Sequence, residues 1–225
     1  MLIAEDLLLL VFDDDAGTPI SGVHNLEYSL AGALLIELTQ LGRVDITTEA
    51  DAGRPGRLVL RDPTPTGLPA LDDALAKLAT MQGRKPKDVI GPLAGNRLSE
   101  RLLTGLADRG ILRREQGKVL KLFPVTRWPA ADSRHEEQTR AELARVLVDG
   151  EQPSGRAAAL IALLAGMGVV KRAVETDDPK AAERRAKEIA EGNWASEATH
   201  KAVEEVTAAV MTAVFVPTII AAGSA

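Results

Sequence analysis

The stretch Ala33–Ile46, ALLIELTQLGRVDI, decides how the chain is read. At about 100° per residue, Leu26, Leu30, Ala33, Leu34, Leu38 and Leu41 share one apolar stripe, the pattern of a core-facing helix. Leu35 and Ile36 cover the opposite side, so this helix is apolar almost all round and belongs at the centre of a fold. Gly42 closes it, because glycine adopts the left-handed conformation that ends a helix. Arg43–Thr47, RVDIT, then alternates with period two and reads as a strand. Glu37 falls in the middle of the apolar stripe. A buried carboxylate needs a cation, since an unpaired buried charge is very costly. Arg97, Arg101 and Arg43 are the candidates, and the expectation is that Glu37 ties the central helix to the later helix carrying Arg97 and Arg101.

Outward from this helix, punctuation divides the chain into short elements. MLIAEDLLLLVF lacks a basic start and is broken by Glu5 and Asp6, so it reads as a first helix with Leu7–Leu10 in the core rather than as a signal peptide. Asp13–Pro19 is a turn, and Arg57–Asp62 is a second strand reached through the loop Glu49–Gly56. Helices are predicted over Leu68–Met81, briefly within Gly83–Gly95, then over Arg97–Arg109, Ser133–Val148, Gly155–Leu164, Pro179–Ala190 and Ser196–Ala221. Asp178 and Pro179 supply an N-cap and a first helical position. Gly110–Val125 reads as a hairpin turning at Gln116 and Gly117. No fixed-period repeat or long linker divides the chain. The expected fold is mainly α: a single compact helical domain over residues 1–225, with a central buried helix surrounded by amphipathic helices, a few short strands and a protruding basic β-hairpin.

Composition excludes several kinds of chemistry. The 225 residues include no Cys, which removes disulfides, thiolate metal sites and Cys nucleophiles. His24, His135 and His200 are far apart and no HExxH is present, so no metal site is expected. GxSxG, the phosphate-binding P-loop and GxGxxG are also absent, so no catalytic residue, cofactor or enzymatic activity is expected. Asp13–Asp15 invites a calcium reading, but Gly17 stands at the fifth position and the closing Glu is missing, which leaves a solvated acidic turn. Val206–Ala222 is apolar but 17 residues long, with three Thr and Pro217 inside; a span needs about 20, so it reads as a buried helix.

Charge is the informative feature. Arg84–Trp128 holds 11 Lys or Arg against 4 Asp or Glu, a local +7 in a chain of net −5. Such asymmetry suggests a basic face for phosphate groups, provided acidic neighbours in the fold do not balance it. The expected hairpin interleaves Lys118, Lys121 and Arg127 with Phe123, Val125 and Trp128. Cations beside bulky apolar side chains suit a membrane interface, where rings enter the headgroup layer and cations meet anionic lipid. The same helix-then-hairpin unit is similar to the second helix and wing of a winged-helix nucleic-acid binder. The acidic remainder of the chain makes nucleic acid an unfavourable partner.

Four ordered blocks, Glu5–Pro19, Ser29–Ile46, Arg97–Pro129 with its RLSERLLTGLADRGILR and KVLKLFPVTRWP, and Arg156–Val174, together resemble the Golgi phosphoprotein 3 family across nearly the whole chain. The resemblance implies a mostly helical, non-catalytic adaptor, cytoplasmic and peripheral at the cytosolic face of a membrane, that recognises phosphatidylinositol 4-phosphate. Bacterial members exist, and this chain is expected to be one. The resemblance also implies that the hairpin, here Ile111–Trp128, takes part in membrane contact and self-association. At the family's four pocket positions this chain carries Gly22, Ala31, Asn96 and Ser99, in place of one Trp and three Arg. Arg97 and Arg101 lie beside them, spaced i, i+4, and are the candidates for headgroup binding. Lys118, Lys121, Phe123, Arg127 and Trp128 are the candidates for membrane contact. The partner expected is an anionic phospholipid or phosphoinositide. Loss of the pocket residues leaves room for a third reading, a scaffold protein that kept the fold without the lipid site.

Overall fold

The computed structural model describes residues 1–49, 51, 54–119, 123–192, 206–208 and 210–212, with the side chains at 118, 119, 123 and 124 outside the description. Helix α1, Ile3–Val11, is buried along its whole length, including Glu5 and Asp6. It packs on α2, Leu26–Gln40, the central helix anticipated from the sequence, whose residues Ser29–Thr39 are all buried. Gly42 takes φ +66 just beyond α2, as its expected role requires. Around α2 lie α3 (Pro69–Ala79), α4 (Lys87–Leu93), α5 (Leu98–Asp108) and α7 (Gly155–Met167), all in contact with it. α6 (Arg134–Leu147) and α9 (Pro179–Ala190) close the far side of α7. Residues 206–208 and 210–212 are helical and bury Val206 and Val210. Gly32 makes this possible, since a Cβ there would stand 2.3 Å from Val210 Cγ1. The rest of the helix predicted over Ser196–Ala221 lies outside the described residues.

One apolar cluster runs from Leu2 to Val210 and is built mainly from Leu, Ile, Val and Ala, as the shortage of aromatics dictates. The mainly α architecture is therefore as expected. α7 runs three residues past its predicted end and stops only at Gly168, φ +70, because Met167 continues the buried face and Ala165 packs partly against the core. α8, Val170–Ala173, is a short helix that no sequence signal announced. α9 begins as predicted, with the Asp178 carboxylate accepting the Ala181 N–H at 2.9 Å.

Among the described residues the strands form two separate antiparallel pairs. β1 (Val44–Ile46) pairs with β2 (Leu58–Leu60) in the register Asp45 to Val59. β3 (Glu115–Val119) pairs with β4 (Phe123–Arg127), with Gly117 opposite Val125. This corrects two expectations. Gln116 and Gly117 lie within β3 rather than at the turn, because the ladder runs on to Val119 and Phe123. Trp128 is 5% exposed and belongs to the core, so it is not a membrane-facing residue. Its burial has a long-range cause. The turn at Gly17, φ +63, packs so closely on the base of the hairpin that a Cβ there would stand 2.4 Å from the backbone nitrogens of Trp128 and Pro129.

Candidate functional site

Glu37 finds its cation on a different helix from the one expected. Its Oε2 accepts the Ile3 N–H at 2.6 Å, and Oε1 lies 3.4 Å from Arg156 of α7. Arg43 pairs with Asp62, and Arg97 and Arg101 with other acids, so none of the three expected partners is used. Burial is the main influence on the Glu37 carboxyl and raises its pKa, with the Ile3 N–H and Arg156 pulling it back. The same place gathers Asp6, bonded to Arg156 at 2.6 Å and 2.8 Å from His135 Nε2, and Glu5, bonded to Arg109 at 2.6 Å. Glu5 also accepts the Leu2 N–H at 2.9 Å. Three carboxylates thus collect at the N-terminus of buried α1, where free N–H groups and the helix dipole favour negative charge. This cluster holds α1, α2, α5, α6 and α7 together; it is structural.

The headgroup candidates lie at the start of α5. Asn96 and Arg97 both take left-handed backbone, φ +63 and +52, which is uncommon for residues other than glycine. Arg97, Arg101, Asn96, Glu100 and Thr104 line one open hollow of about 410 Å³. The structure therefore brings the two arginines together, although Arg97 is the cap of α5 rather than part of its helical face. Each has an acidic neighbour: Arg97 lies 3.5 Å from Glu100, and Arg101 lies 2.7 Å from Asp73 of α3. Both pairs are exposed and therefore weak. Of the four pocket positions, Ala31 is fully buried and Gly22 sits on an open turn at φ +90. Ser99 is engaged by Glu27, whose carboxylate accepts its hydroxyl and, at 3.3 Å, its backbone N–H. An internal carboxylate thus holds the N-terminal donors of α5, the kind of place a phosphate would otherwise take.

The hairpin presents its cations differently. Arg113 pairs loosely with Glu115 at 3.5 Å, and Arg114 lies over the Trp128 ring, 5.5 Å from its centroid. Arg127 is exposed. Among the described residues, neither Arg114 nor Arg127 has an acidic partner. Lys118 and Phe123 lie on the strands with side chains outside the description, and Lys121 lies outside the described residues altogether. The base of the hairpin is anchored by the Trp128 N–H on Gly17 O and the Ala130 N–H on Asp14 O, both 2.8 Å.

A second polar cavity, about 450 Å³, lies beneath that anchor between Phe12, Asp13, Asp14, Glu136, Arg140 and Arg172. Burial, and the Asp14 carboxylate beside it, push the Glu136 carboxyl up to about 7 against the pull of Arg140, 2.6 Å away. Arg140 is itself committed to Glu136 and to the Ala173 and Leu10 carbonyls.

Among the described residues no helix is long and apolar enough to cross a membrane. The Golgi phosphoprotein 3 (GPP34) family model matches residues 3–206. The chain is similar to the vacuolar protein sorting-associated protein 74 of Eremothecium gossypii, 30% identical over 167 residues, covering 66% of this chain and 49% of that protein. It is also similar to the protein of the same name from Schizosaccharomyces pombe, 28% identical over 163 residues, covering 65% of this chain and 48% of that one. The chain spans about half the length of the curated relatives it matches. With four ordered blocks, a buried central helix and a family match over nearly all of its length, the chain belongs to the Golgi phosphoprotein 3 family.

Proposed function

We propose that this protein is a non-catalytic peripheral membrane adaptor that attaches to anionic lipid at the cytosolic face of a membrane. The supporting observation is the β3–β4 hairpin, whose strands pair only with each other and whose Arg114 and Arg127 have no acidic partner among the described residues. Arg127 has no ion pair to give up on meeting a lipid phosphate and Arg114 gives up only its contact with the Trp128 ring, while Lys118, Lys121 and Phe123 follow in the same hairpin sequence. In this reading Arg97 and Arg101 meet headgroup phosphates at the hollow before α5, giving up weak exposed ion pairs to do so. Self-association through the hairpin belongs to the same proposal.

The site favours general attraction to anionic lipid over strict recognition of phosphatidylinositol 4-phosphate. Gly22 and Ala31 offer no side-chain donor, and Ser99 is already bonded to Glu27. Co-sedimentation with vesicles of neutral lipid, phosphatidylinositol and phosphatidylinositol 4-phosphate, at two salt concentrations, tests this. Binding to both acidic vesicles that weakens in salt is the expected result. Salt-resistant binding to the 4-phosphate alone contradicts the general reading, and no binding at all ends the membrane proposal.

A further inference from the structure

We infer a second anion site, distinct from the hairpin and from the hollow before α5, at the open end of the β1–β2 pair: a cavity lined by Arg54 and Arg57 that takes a phosphate group on a small polar ligand. The cavity measures about 450 Å³ and is bounded by Thr47, Leu58, Gln82 and Gly83 besides the two arginines. That volume lies within the usual range for small-molecule sites. Its wall is ordered by the chain itself. Thr47 Oγ1 donates to Arg54 O at 2.7 Å and accepts the Arg57 N–H at 3.0 Å. The Gly83 N–H donates to Leu58 O, and the Leu58 N–H to Arg84 O, both at 2.9 Å, which seats the backbone of Gly83 and Arg84 against β2, with Lys85 and Lys87 next in sequence.

Unpaired cations distinguish this place from the basic surfaces whose charges are matched. The three aspartates of the β1–β2 unit are already committed: Asp62 to Arg43, Asp45 to Arg61 at 3.2 Å, and Asp51 to Arg61 at 2.9 Å. Arg54 and Arg57 are left over. Among the described residues, neither they nor Arg84, Lys85 and Lys87 make an ion pair. Glu49 and Asp88, on the same segments, make none either, so cations remain in excess by five to two. Two unpaired arginines lining one cavity suit bidentate contact with a phosphate, and Thr47 and Gln82 are polar neighbours for the group that carries it. The phosphate can come from a lipid headgroup or from a free phosphorylated polyol.

The test uses the full chain and the probe inositol 1,4-bisphosphate, with R54Q/R57Q compared against K180Q/R184Q. The second variant removes the same charge from exposed positions on α9 that make no ion pair among the described residues. Isothermal titration should show binding by the wild type, a loss of at least about tenfold in R54Q/R57Q, little change in K180Q/R184Q and partial recovery in R54K/R57K. Unfolding curves of R54Q/R57Q should overlay the wild type. Phosphatidylinositol 4-phosphate vesicles held through Arg54 and Arg57 identify a lipid source, and vesicles indifferent to R54Q/R57Q identify a free one; both support the site. It is overturned if the wild type binds no inositol bisphosphate, if both double variants lose affinity equally, or if a short DNA duplex binds more tightly than the small phosphate through the same arginines.

Discussion

The N-terminus of α1 and the open end of the β1–β2 pair are both rich in charge, yet they use it in opposite ways. At α1, Glu5, Asp6 and Glu37 are each matched to Arg109, Arg156 or His135 and nearly removed from solvent. At β1–β2, Arg54 and Arg57 line a cavity and make no ion pair among the described residues. Charge spent inside the fold is structural, and charge left over at a cavity is available to a ligand. The basic segment Arg84–Trp128 divides along the same line. Arg97, Arg101, Arg109 and Arg113 pair with Glu100, Asp73, Glu5 and Glu115. Arg84, Lys85, Lys87, Arg114 and Arg127 make no ion pair among the described residues.

The largest effect should come from breaking the paired region. Arg156→Ala leaves Asp6 and Glu37 without their guanidinium and is expected to destabilise by about 3–5 kcal/mol in urea unfolding. Adding Asp6→Asn and Glu37→Gln should recover part of that loss, since the penalty is chiefly the uncompensated charge. Gly17→Ala should cost about 1–3 kcal/mol, because the new Cβ meets the Trp128 and Pro129 backbone. Near-ultraviolet circular dichroism of Trp128 would register the shift.

Glu136 supplies a pH test of intermediate size. Its carboxyl is raised from the model-compound value of 4.5 to about 7, so the folded state holds this proton more tightly than the unfolded chain. Its contribution is fully present below about pH 4.5 and is lost as pH rises to about 7, at most about 3 kcal/mol. Glu136→Gln should flatten that part of the stability profile; an unchanged slope between about pH 5 and about pH 7 would show that Glu136 is ionised throughout. The smallest effect is expected at Arg101→Ala, whose pair with Asp73 is exposed and worth less than about 1 kcal/mol. Chemical denaturation should barely separate it from wild type.

Local pattern made much of the fold legible. The apolar wrap of α2, Gly42, the short strands on either side of Glu49–Gly56 and the Asp178–Pro179 start of α9 are each set by residues a few positions apart. What was missed depends on distant contacts. Arg156 lies 119 residues from Glu37, so no helical spacing could nominate it. Trp128 beside Pro129 looks exposed until the Gly17 turn covers it, and Gln116–Gly117 resembles a turn until Val125 and Thr126 pair with it. Arg54 and Arg57 sit in a Gly- and Pro-containing loop that carries no motif. Their one sequence signal was that nearby acids could be assigned to Arg43 and Arg61, and only the structure makes that assignment.

Membrane attachment through leftover cations is measured most directly by vesicle co-sedimentation of the full chain, comparing phosphatidylcholine alone with phosphatidylcholine containing phosphatidylserine, in low and high salt. Recovery is expected with the acidic vesicles only, lost as salt screens the exposed arginines. Equal recovery with both vesicles, or none with either, would contradict it.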